Sequence, residues 1–193
     1  MGNLYIGLYH FPMRNRSGEI VATAITSVDV HDIARSARTY GVTRYFVVTP
    51  LPAQREIAWR IRGFWTEGER AAERSRRGEA LEIISVCDDL EETLAWIAEA
   101  ESKEPLLVAT SARPQGQTVI GYAALRSRLV EDERPVYILF GTGWGMADEL
   151  IEACDVVLPP IMPESDFNHL SVRAAVAIVL DRVAGDGIGG QDG

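Results

Sequence analysis

The stretch of sequence that decides the fold is VYILFGTGWGMADELIEACDVVL, which occupies residues 136–158. It begins with a strand-like apolar run at 136–140 and continues into a glycine-rich loop. A short helical segment at 147–153 and a second strand-like run at 156–158 complete it. A strand, a helix and a second strand in this order make a βαβ unit, the building block of parallel sheets. This stretch therefore predicts an α/β fold.

The rest of the chain repeats the same alternation of strands and helices. Apolar, β-branched runs predict the remaining strands at 4–9, 44–49, 81–87 and 106–110. Their near-continuous hydrophobicity suits strands that are buried on both faces of a parallel sheet. Helical patterns predict helices at 29–40, 53–76, 88–101, 118–129 and 169–184. The predicted architecture is one α/β domain over residues 1–184, with a mainly parallel sheet flanked by helices. A disordered, glycine-rich tail is predicted over residues 185–193.

Composition places the chain among ordinary globular proteins. Of its 193 residues, 47% are hydrophobic and 24% are charged. No apolar run approaches the roughly 20 residues that span a bilayer, and no Cys/His cluster has metal-ligand spacing. We therefore expect neither a membrane nor a metal partner. Cys87 and Cys154 lie in apolar strand-like contexts, which predicts buried, reduced thiols and a cytoplasmic location.

Charge is distributed unevenly along the sequence. The net charge is −9, yet residues 1–77 hold 12 arginines against 7 acidic side chains. A basic half of this kind can attract RNA while the acidic half favours solubility. The use of arginine instead of lysine also fits genomic base composition, and that interpretation stays open.

Arginine and aromatic side chains are interleaved along the predicted helix at 53–76. Arginine binds phosphate in bidentate fashion and aromatic rings stack on unpaired bases, so the segment predicts an RNA-contacting face. The candidate RNA contacts are Arg55, Arg60, Arg62, Arg70 and Arg74. The alternative is a solvated helix, because several glutamates in the same segment neutralise part of its charge.

The glycine loop, Gly141-Thr142-Gly143-Trp144-Gly145, follows a predicted strand. Glycines allow positive φ and let the backbone approach a ligand closely. A dinucleotide fingerprint needs Gly-x-Gly-x-x-Gly in an early βαβ unit, and a P-loop needs a following Gly-Lys-Ser/Thr. This loop has neither, so NAD and ATP are poor candidates for its ligand.

Two further segments complete a candidate pocket. Leu158-Pro159-Pro160-Ile161 follows the last predicted strand and has few free amides, because proline has none. Its apolar surface suits a flat ring such as adenine. Asn168 or Ser171 is placed to cap the apolar helix that follows. Three such features within about thirty residues predict a single ligand pocket.

These segments together resemble a known superfamily. Phe-Gly-x-Gly-x-Gly after a strand, then Leu-Pro-Pro-Ile, then Asn-His-Leu-Ser-Val-x-Ala-Ala resemble the second and third motifs of the SPOUT RNA methyltransferases. Residues 29–42 resemble the first motif, Asn-x-Gly-x-Ile-x-Arg-x-Ala-x-x-Phe-Gly, with Arg35 on its arginine. Within the superfamily the chain is most similar to the SAM-dependent RNA methyltransferase family that is sometimes fused to tRNA guanine-N1 methyltransferase.

The resemblance implies a fold, a cofactor and an activity. It implies a C-terminal trefoil knot that binds S-adenosylmethionine (SAM), a homodimer, and methyl transfer to a nucleotide of structured tRNA or rRNA. The residues that it and the strand ends place around the cofactor are Ala109, Thr110, Ser111, Phe140, Gly141, Thr142, Gly143, Gly145, Leu158, Pro160, Ile161, Asn168, Leu170 and Ser171. The catalytic candidates are Arg35 by motif position and Asp166 and His169 as proton acceptors, with His10 a weaker one.

Some positions depart from the superfamily motifs. Asp29 replaces the asparagine of the first motif, His31 replaces its glycine, and Trp144 stands where the second motif usually has an acid. These changes argue against a typical ribose 2′-O-methyltransferase. They motivate an alternative, a non-catalytic RNA-binding or assembly module that retains a SAM pocket. A third possibility is an α/β enzyme that uses another nucleotide.

Overall fold

The computed structural model describes residues 2–68, 76–112, 118–161 and 169–185. The elements in these ranges are β1 Leu4–Tyr9, β2 Met13–Arg14, β3 Ile20–Val21, α1 Ser27–Thr39, β4 Arg44–Val48, α2 Pro52–Thr66, α3 Arg76–Leu81, β5 Ile84–Cys87, α4 Leu90–Glu101, β6 Leu106–Ala109, α5 Tyr122–Glu131, β7 Val136–Gly141, α6 Asp148–Glu152, β8 Val156–Val157 and α7 Val172–Ala184. Within them, no helix is both long and apolar enough to cross a membrane.

The main sheet has six strands in the order β5-β4-β1-β7-β6-β8. Every neighbouring pair in it is parallel, which confirms the predicted α/β architecture. In register, Tyr9 of β1 lies beside Gly141 of β7, and Ala109 of β6 lies beside Leu139. The carboxyl ends of these three central strands therefore meet at one edge of the sheet, where α/β proteins bind their ligands.

Helices cover both faces of the sheet. Side chains of β1 alternate between the faces, as the two-residue repeat of a strand requires. Ile6 and Leu8 share a core with residues of α1, α3, α5 and α7. Tyr5 and Tyr9 share the opposite core with residues of α4 and α6. Each fully buried aliphatic side chain in these cores stabilises the fold by about 1.5–3 kcal/mol.

A glycine lies in the aromatic half of this core. A Cβ on Gly7 would lie 2.4 Å from the Tyr137 hydroxyl oxygen and 2.7 Å from Cε2 of Tyr9. The two tyrosine hydroxyls are joined by a hydrogen bond of 3.0 Å. The middle of β1 therefore requires a residue without a side chain.

Several element boundaries differ from the sequence predictions. The strand predicted at 81–87 begins at Ile84, because Leu81 ends α3. The helix predicted at 118–129 begins at Tyr122, because Val119 forms an isolated bridge with Val157. The helix predicted at 53–76 ends at Thr66, and a separate helix begins at Arg76.

The structure also contains an element that the sequence analysis does not predict. Strands β2 and β3 form a two-stranded antiparallel hairpin between β1 and α1. Residue Gly185 caps the end of α7, and the rest of the predicted tail, 186–193, lies outside the described residues. The trefoil knot stays a prediction.

Candidate active site

A cavity of about 810 Å³ opens at the carboxyl edge of the sheet. Its walls are the loop between β7 and α6, the loop after β8, the start of α7, the start of α1 and the region of the hairpin. The predicted cofactor residues that line it are Thr110, Ser111, Phe140, Gly141, Thr142, Gly143, Gly145, Leu158, Ile161, Leu170 and Ser171. The structure therefore brings together predicted residues that are up to about sixty positions apart in the sequence.

The remaining predicted cofactor residues lie elsewhere. Ala109 is fully buried at the end of β6, where its carbonyl accepts a hydrogen bond of 2.9 Å from the Leu158 amide. Pro160 is half-buried, and its neighbour Pro159 lines the cavity in its place. Asn168 lies outside the described residues.

Backbone conformation explains the glycines of the loop. Gly143 and Gly145 have φ of +60° and +103°, values that residues with a side chain rarely adopt. A Cβ on Gly141 would lie 2.6 Å from Cγ and 2.9 Å from the amide nitrogen of Met146. The loop therefore needs glycine at all three positions, which leaves its backbone accessible from the cavity.

The hairpin region holds this loop through backbone hydrogen bonds. The Arg14 amide donates to the Gly145 carbonyl at 2.9 Å, and the Trp144 amide donates to the Arg14 carbonyl at 3.3 Å. The Ala147 amide donates to the Pro12 carbonyl at 3.0 Å. The cavity residues Arg14, Thr23, Ala24 and Thr26, which the sequence analysis does not name, all come from this region. Backbone bonds of this kind leave no signal in residue type.

A hydrogen-bonded chain underlies the loop. His10 Nδ1 lies 2.9 Å from Thr23 Oγ1, within hydrogen-bond distance. The hydroxyls of Thr23 and Thr142 are hydrogen-bonded to each other. Thr142 Oγ1 in turn donates to the Tyr9 carbonyl at 3.0 Å. His10 is 1% exposed, and its Nε2 has no hydrogen-bond partner among the described residues. Burial lowers the pKa of His10 to about 4, against a smaller opposite effect of the Asp29 carboxylate. The ring is therefore neutral at pH 7.

Charged side chains meet where α1 and α7 approach the cavity. Arg173 pairs with Asp29 at 3.0 Å and with Asp32 at 3.7 Å. Of the two carboxylates, only Asp29 lines the cavity. On the opposite wall, Arg14 forms an ion pair with Asp148. Asp29 is also the residue that replaces the asparagine of the first motif, so this departure places a carboxylate in the cavity.

The structure brings one of the predicted catalytic residues to the cavity. His169 lines it, whereas Asp166 lies outside the described residues. Arg35 is exposed on α1 and is not among the lining residues. It lies six residues beyond Asp29, about 9 Å along the helix axis. With burial and Arg77, its charge lowers the pKa of His31.

Three of the five predicted RNA-contacting arginines, Arg55, Arg60 and Arg62, lie on α2. Arg55 has a structural role, because it pairs with Asp88 at 2.8 Å and donates to the Thr49 carbonyl. Arg60 is exposed and pairs only with Glu56 of its own helix within the described residues. The Arg62 guanidinium lies 5.6 Å from the centre of the Trp59 ring. Arg70 and Arg74 lie outside the described residues.

Several side chains on this face are accessible to a partner. Trp59 is 44% exposed and Phe64 is 53% exposed. The Arg77 guanidinium lies 4.8 Å from the centre of the Trp65 ring. Exposed arginines and aromatic rings thus lie together on this surface.

Within the described residues, no three His, Cys, Asp or Glu side chains lie close enough together to hold a metal ion. Cys87 and Cys154 are free and buried. Burial, reinforced by nearby carboxylates, raises the pKa of each thiol to about 12.

Comparison with known proteins covers nearly the whole chain. A sequence model of a family described as SAM-dependent RNA methyltransferase matches residues 3–185. A tRNA (guanine-N(1)-)-methyltransferase of Oleidesulfovibrio alaskensis is 39% identical over 186 residues, which are 96% of this chain and 43% of that protein. An uncharacterized protein of Aquifex aeolicus is 39% identical over 181 residues, which are 94% of this chain and 88% of that protein. The chain thus spans less than half the length of the methyltransferase relative.

Two solved structures illustrate the shared fold. A probable methyltransferase from Bordetella pertussis Tohama I has a TM-score of 0.63 and 20% identity, over 95% of this chain and 93% of that chain. The SpoU methyltransferase AviRb from Streptomyces viridochromogenes, in complex with AdoMet, has a TM-score of 0.58 and 15% identity, over 98% of this chain and 59% of that chain. The resemblance drawn from the three motifs is thereby confirmed, and the chain belongs to the SAM-dependent RNA methyltransferase family.

Proposed function

We propose that SAM binds in the cavity at the carboxyl edge of the sheet, and that its methyl group passes there to a nucleotide of structured tRNA or rRNA. The observation that carries this proposal is the convergence of the glycine loop, the loop after β8 and the start of α7 on one cavity. These are the segments that carry the second and third superfamily motifs.

The residues present fit an adenosine-containing cofactor. A volume of about 810 Å³ lies within the range of small-molecule sites, about 300–1,000 Å³. Phe140, Leu158, Ile161 and Val179 supply apolar walls for a flat ring. The glycine loop supplies exposed backbone for polar groups. Shape and chemistry both suit SAM.

The chain's own residues position the reactants. The cofactor supplies an electrophilic methyl group on a sulfonium sulfur, and transfer requires donor and acceptor in line at near-attack distance. In this proposal the cavity walls hold the cofactor, while His169 or Asp166 accepts the acceptor's proton where one is lost. Arg35 serves as a phosphate anchor outside the cavity.

The RNA partner and the assembly belong to the same proposal. The face of α2 and α3, with Arg60, Arg62, Trp59 and Phe64, is the proposed RNA surface. The proposed assembly is a homodimer with α7 in its interface, as the superfamily resemblance implies. Support comes from Ala174, Ala177 and Ile178 of α7, which are only half-buried. A cytoplasmic location follows from an RNA substrate and from free thiols.

Calorimetry with SAM tests the site. Gly143→Trp places a large side chain in the cavity and is expected to abolish measurable binding. Gly41→Trp is the matched control, because Gly41 has a similar φ of +70°, has no atom within 4 Å of a built Cβ and does not line the cavity. The control is expected to bind like wild type. Equal affinity in both variants, or no binding by wild type, would contradict the proposal.

The exposed Trp144 stands where the superfamily usually has an acid, and this difference favours the alternative of a non-catalytic RNA-binding or assembly module. The two functions differ in one product. A methylated nucleoside that is present in RNA from cells with the protein and absent from cells without it supports the enzyme. Cofactor binding without any such nucleoside supports a module that retains only the pocket.

A further inference from the structure

The polarity of the hydrogen-bonded chain beneath the glycine loop is fixed by its last member. The Tyr9 carbonyl can only accept, so the Thr142 hydroxyl donates its single proton to it. The Thr23 hydroxyl has two acceptors within reach, the Thr142 oxygen and the His10 carbonyl at 3.5 Å. The contact with Thr142 is much the shorter of the two, so the Thr142 oxygen accepts the proton of Thr23. Thr23 has no proton left to give, so its oxygen accepts from Nδ1 of His10.

This polarity assigns the tautomer of the buried histidine. His10 carries its proton on Nδ1, and Nε2 keeps a bare lone pair. That nitrogen has no partner among the described residues. The ring is 1% exposed and does not line the cavity, whereas Thr23 and Thr142 both do. His10 therefore acts on the cavity through these two threonines.

The same chain fixes the loop in space. Thr142 is the second residue of the glycine loop, and its amide is also held, donating to the Met13 sulfur at 3.2 Å. The Thr23 methyl carbon lies 3.3 Å from where a Cβ on Gly143 would be. The Thr23 amide donates to the His10 carbonyl at 2.8 Å. Thr142 and its neighbour Gly143 are thus held by the threonine pair and by the histidine behind it.

We infer that His10 is a positioning residue for the cofactor: its Nδ1 proton, relayed through Thr23 and Thr142, holds the glycine loop in the conformation that receives SAM. This role rests on the proposed cofactor site. The role belongs to the Nδ1 proton, which His10 donates to Thr23, and Nε2 has no part in it. His10 therefore neither takes a proton in the reaction nor binds the ligand.

Two pairs of variants separate this role from others. Thr23→Val keeps the methyl group beside Gly143 and removes only the hydroxyl, while Thr23→Ser keeps the hydroxyl. His10→Leu removes both ring nitrogens, while His10→Asn keeps an N–H donor near the position of Nδ1 and lacks Nε2. The expected result is a loss of SAM affinity of about tenfold in the Val and Leu variants, the effect of one lost hydrogen bond. The Ser and Asn variants are expected to bind within about threefold of wild type.

Hydrogen exchange of the amides at 141–147, measured without cofactor, reports on the loop alone. It is expected to be faster in the Val and Leu variants and unchanged in the Ser and Asn variants, with melting temperature measured for all four. Loss of affinity in His10→Asn would assign the role to Nε2 and overturn the inference, as would unchanged exchange in Thr23→Val. A wild type that binds no SAM would refute the proposed site, and the exchange measurement would still decide whether His10 positions the loop.

Discussion

Acidification is expected to destabilise the wild-type protein more than its His10→Asn variant. Burial lowers the pKa of His10 from 6.5 to about 4. The unfolded chain therefore binds a proton at this site at higher pH than the folded protein does. Between these two pKa values the unfolded state holds more protons than the folded state. The contribution of the neutral His10 ring to the free energy of unfolding is therefore present above pH 6.5 and is lost as the pH drops toward 4.

The size of the effect follows from the width of that window. One pKa unit corresponds to about 1.4 kcal/mol of differential protonation. Between pH 7.5 and pH 5.0 the wild type is therefore expected to lose about 2 kcal/mol through His10. The Nδ1 proton stays in place on protonation, so the cost comes from a buried charge on a ring that is 1% exposed.

Urea unfolding at pH 7.5 and pH 5.0 measures this loss. Asparagine does not titrate, and every other titratable group is the same in both proteins. The difference between the two pH-dependent losses thus isolates His10. Equal losses in wild type and variant would refute the assignment of a buried, neutral histidine beneath the loop.

Other changes have expected outcomes of their own. Gly7→Ala is expected to lower the free energy of unfolding by about 1–3 kcal/mol, because the added methyl overlaps the Tyr137 hydroxyl. Gly121→Ala, which meets open space, is expected to cost less than about 1 kcal/mol in the same urea titration. Arg60→Gln is expected to weaken RNA binding and to lower the slope of log affinity against log salt by about 1, whereas Arg128→Gln on α5 leaves both unchanged. Both cysteines are expected to resist iodoacetamide at pH 8 in the folded protein and to react after unfolding, which mass spectrometry detects.

Each of these expectations has a contrary result. Equal stability of the two alanine variants would mean that the aromatic core accommodates a methyl group at β1. An equal change in salt dependence for both glutamines would mean that RNA does not select the face of α2. Rapid alkylation of the folded protein would mean that the thiols are accessible.

The sequence predicts the part of the site that depends on residue type. Glycines at 141, 143 and 145 are required by close approach or positive φ, and that requirement is visible in the chain. Ser171 caps α7 by accepting from the Ala174 amide, as helix-start patterns lead one to expect. The ends of parallel strands meet at one edge, so loops that follow them converge without any further information.

The hairpin region could not be predicted by the same reasoning. Its strands are two residues long, too short for an alternating pattern to appear. It holds the glycine loop through backbone amides and carbonyls, which almost every residue possesses. Thr23 becomes significant only when the fold places it between His10 and Thr142. Contacts of this kind arise from the tertiary fold and not from residue type.

Charge in the cavity leads to a last prediction. Asp29, Asp32 and Arg173 form one cluster with two carboxylates and one guanidinium, so it carries a net negative charge. The sulfonium of SAM is positive, whereas S-adenosylhomocysteine has a neutral sulfur. Asp29 lines the cavity, with a side chain that is 14% exposed. Its charge is thus poorly screened by solvent and favours the cationic cofactor.

Asp29→Asn, which restores the residue of the superfamily motif, is therefore expected to reduce the preference for SAM over S-adenosylhomocysteine by up to about tenfold. Asp32→Asn is the matched control, since Asp32 pairs with the same arginine at 3.7 Å but is 46% exposed and does not line the cavity. Calorimetry with the two ligands measures the ratio of affinities. A ratio that is unchanged in Asp29→Asn, or changed equally in both variants, would show that the carboxylate acts only in holding α1 against α7. A ratio that falls in Asp29→Asn alone would mean that Asp29 on α1 supplies the carboxylate that the superfamily usually carries in the glycine loop, where this chain has Trp144.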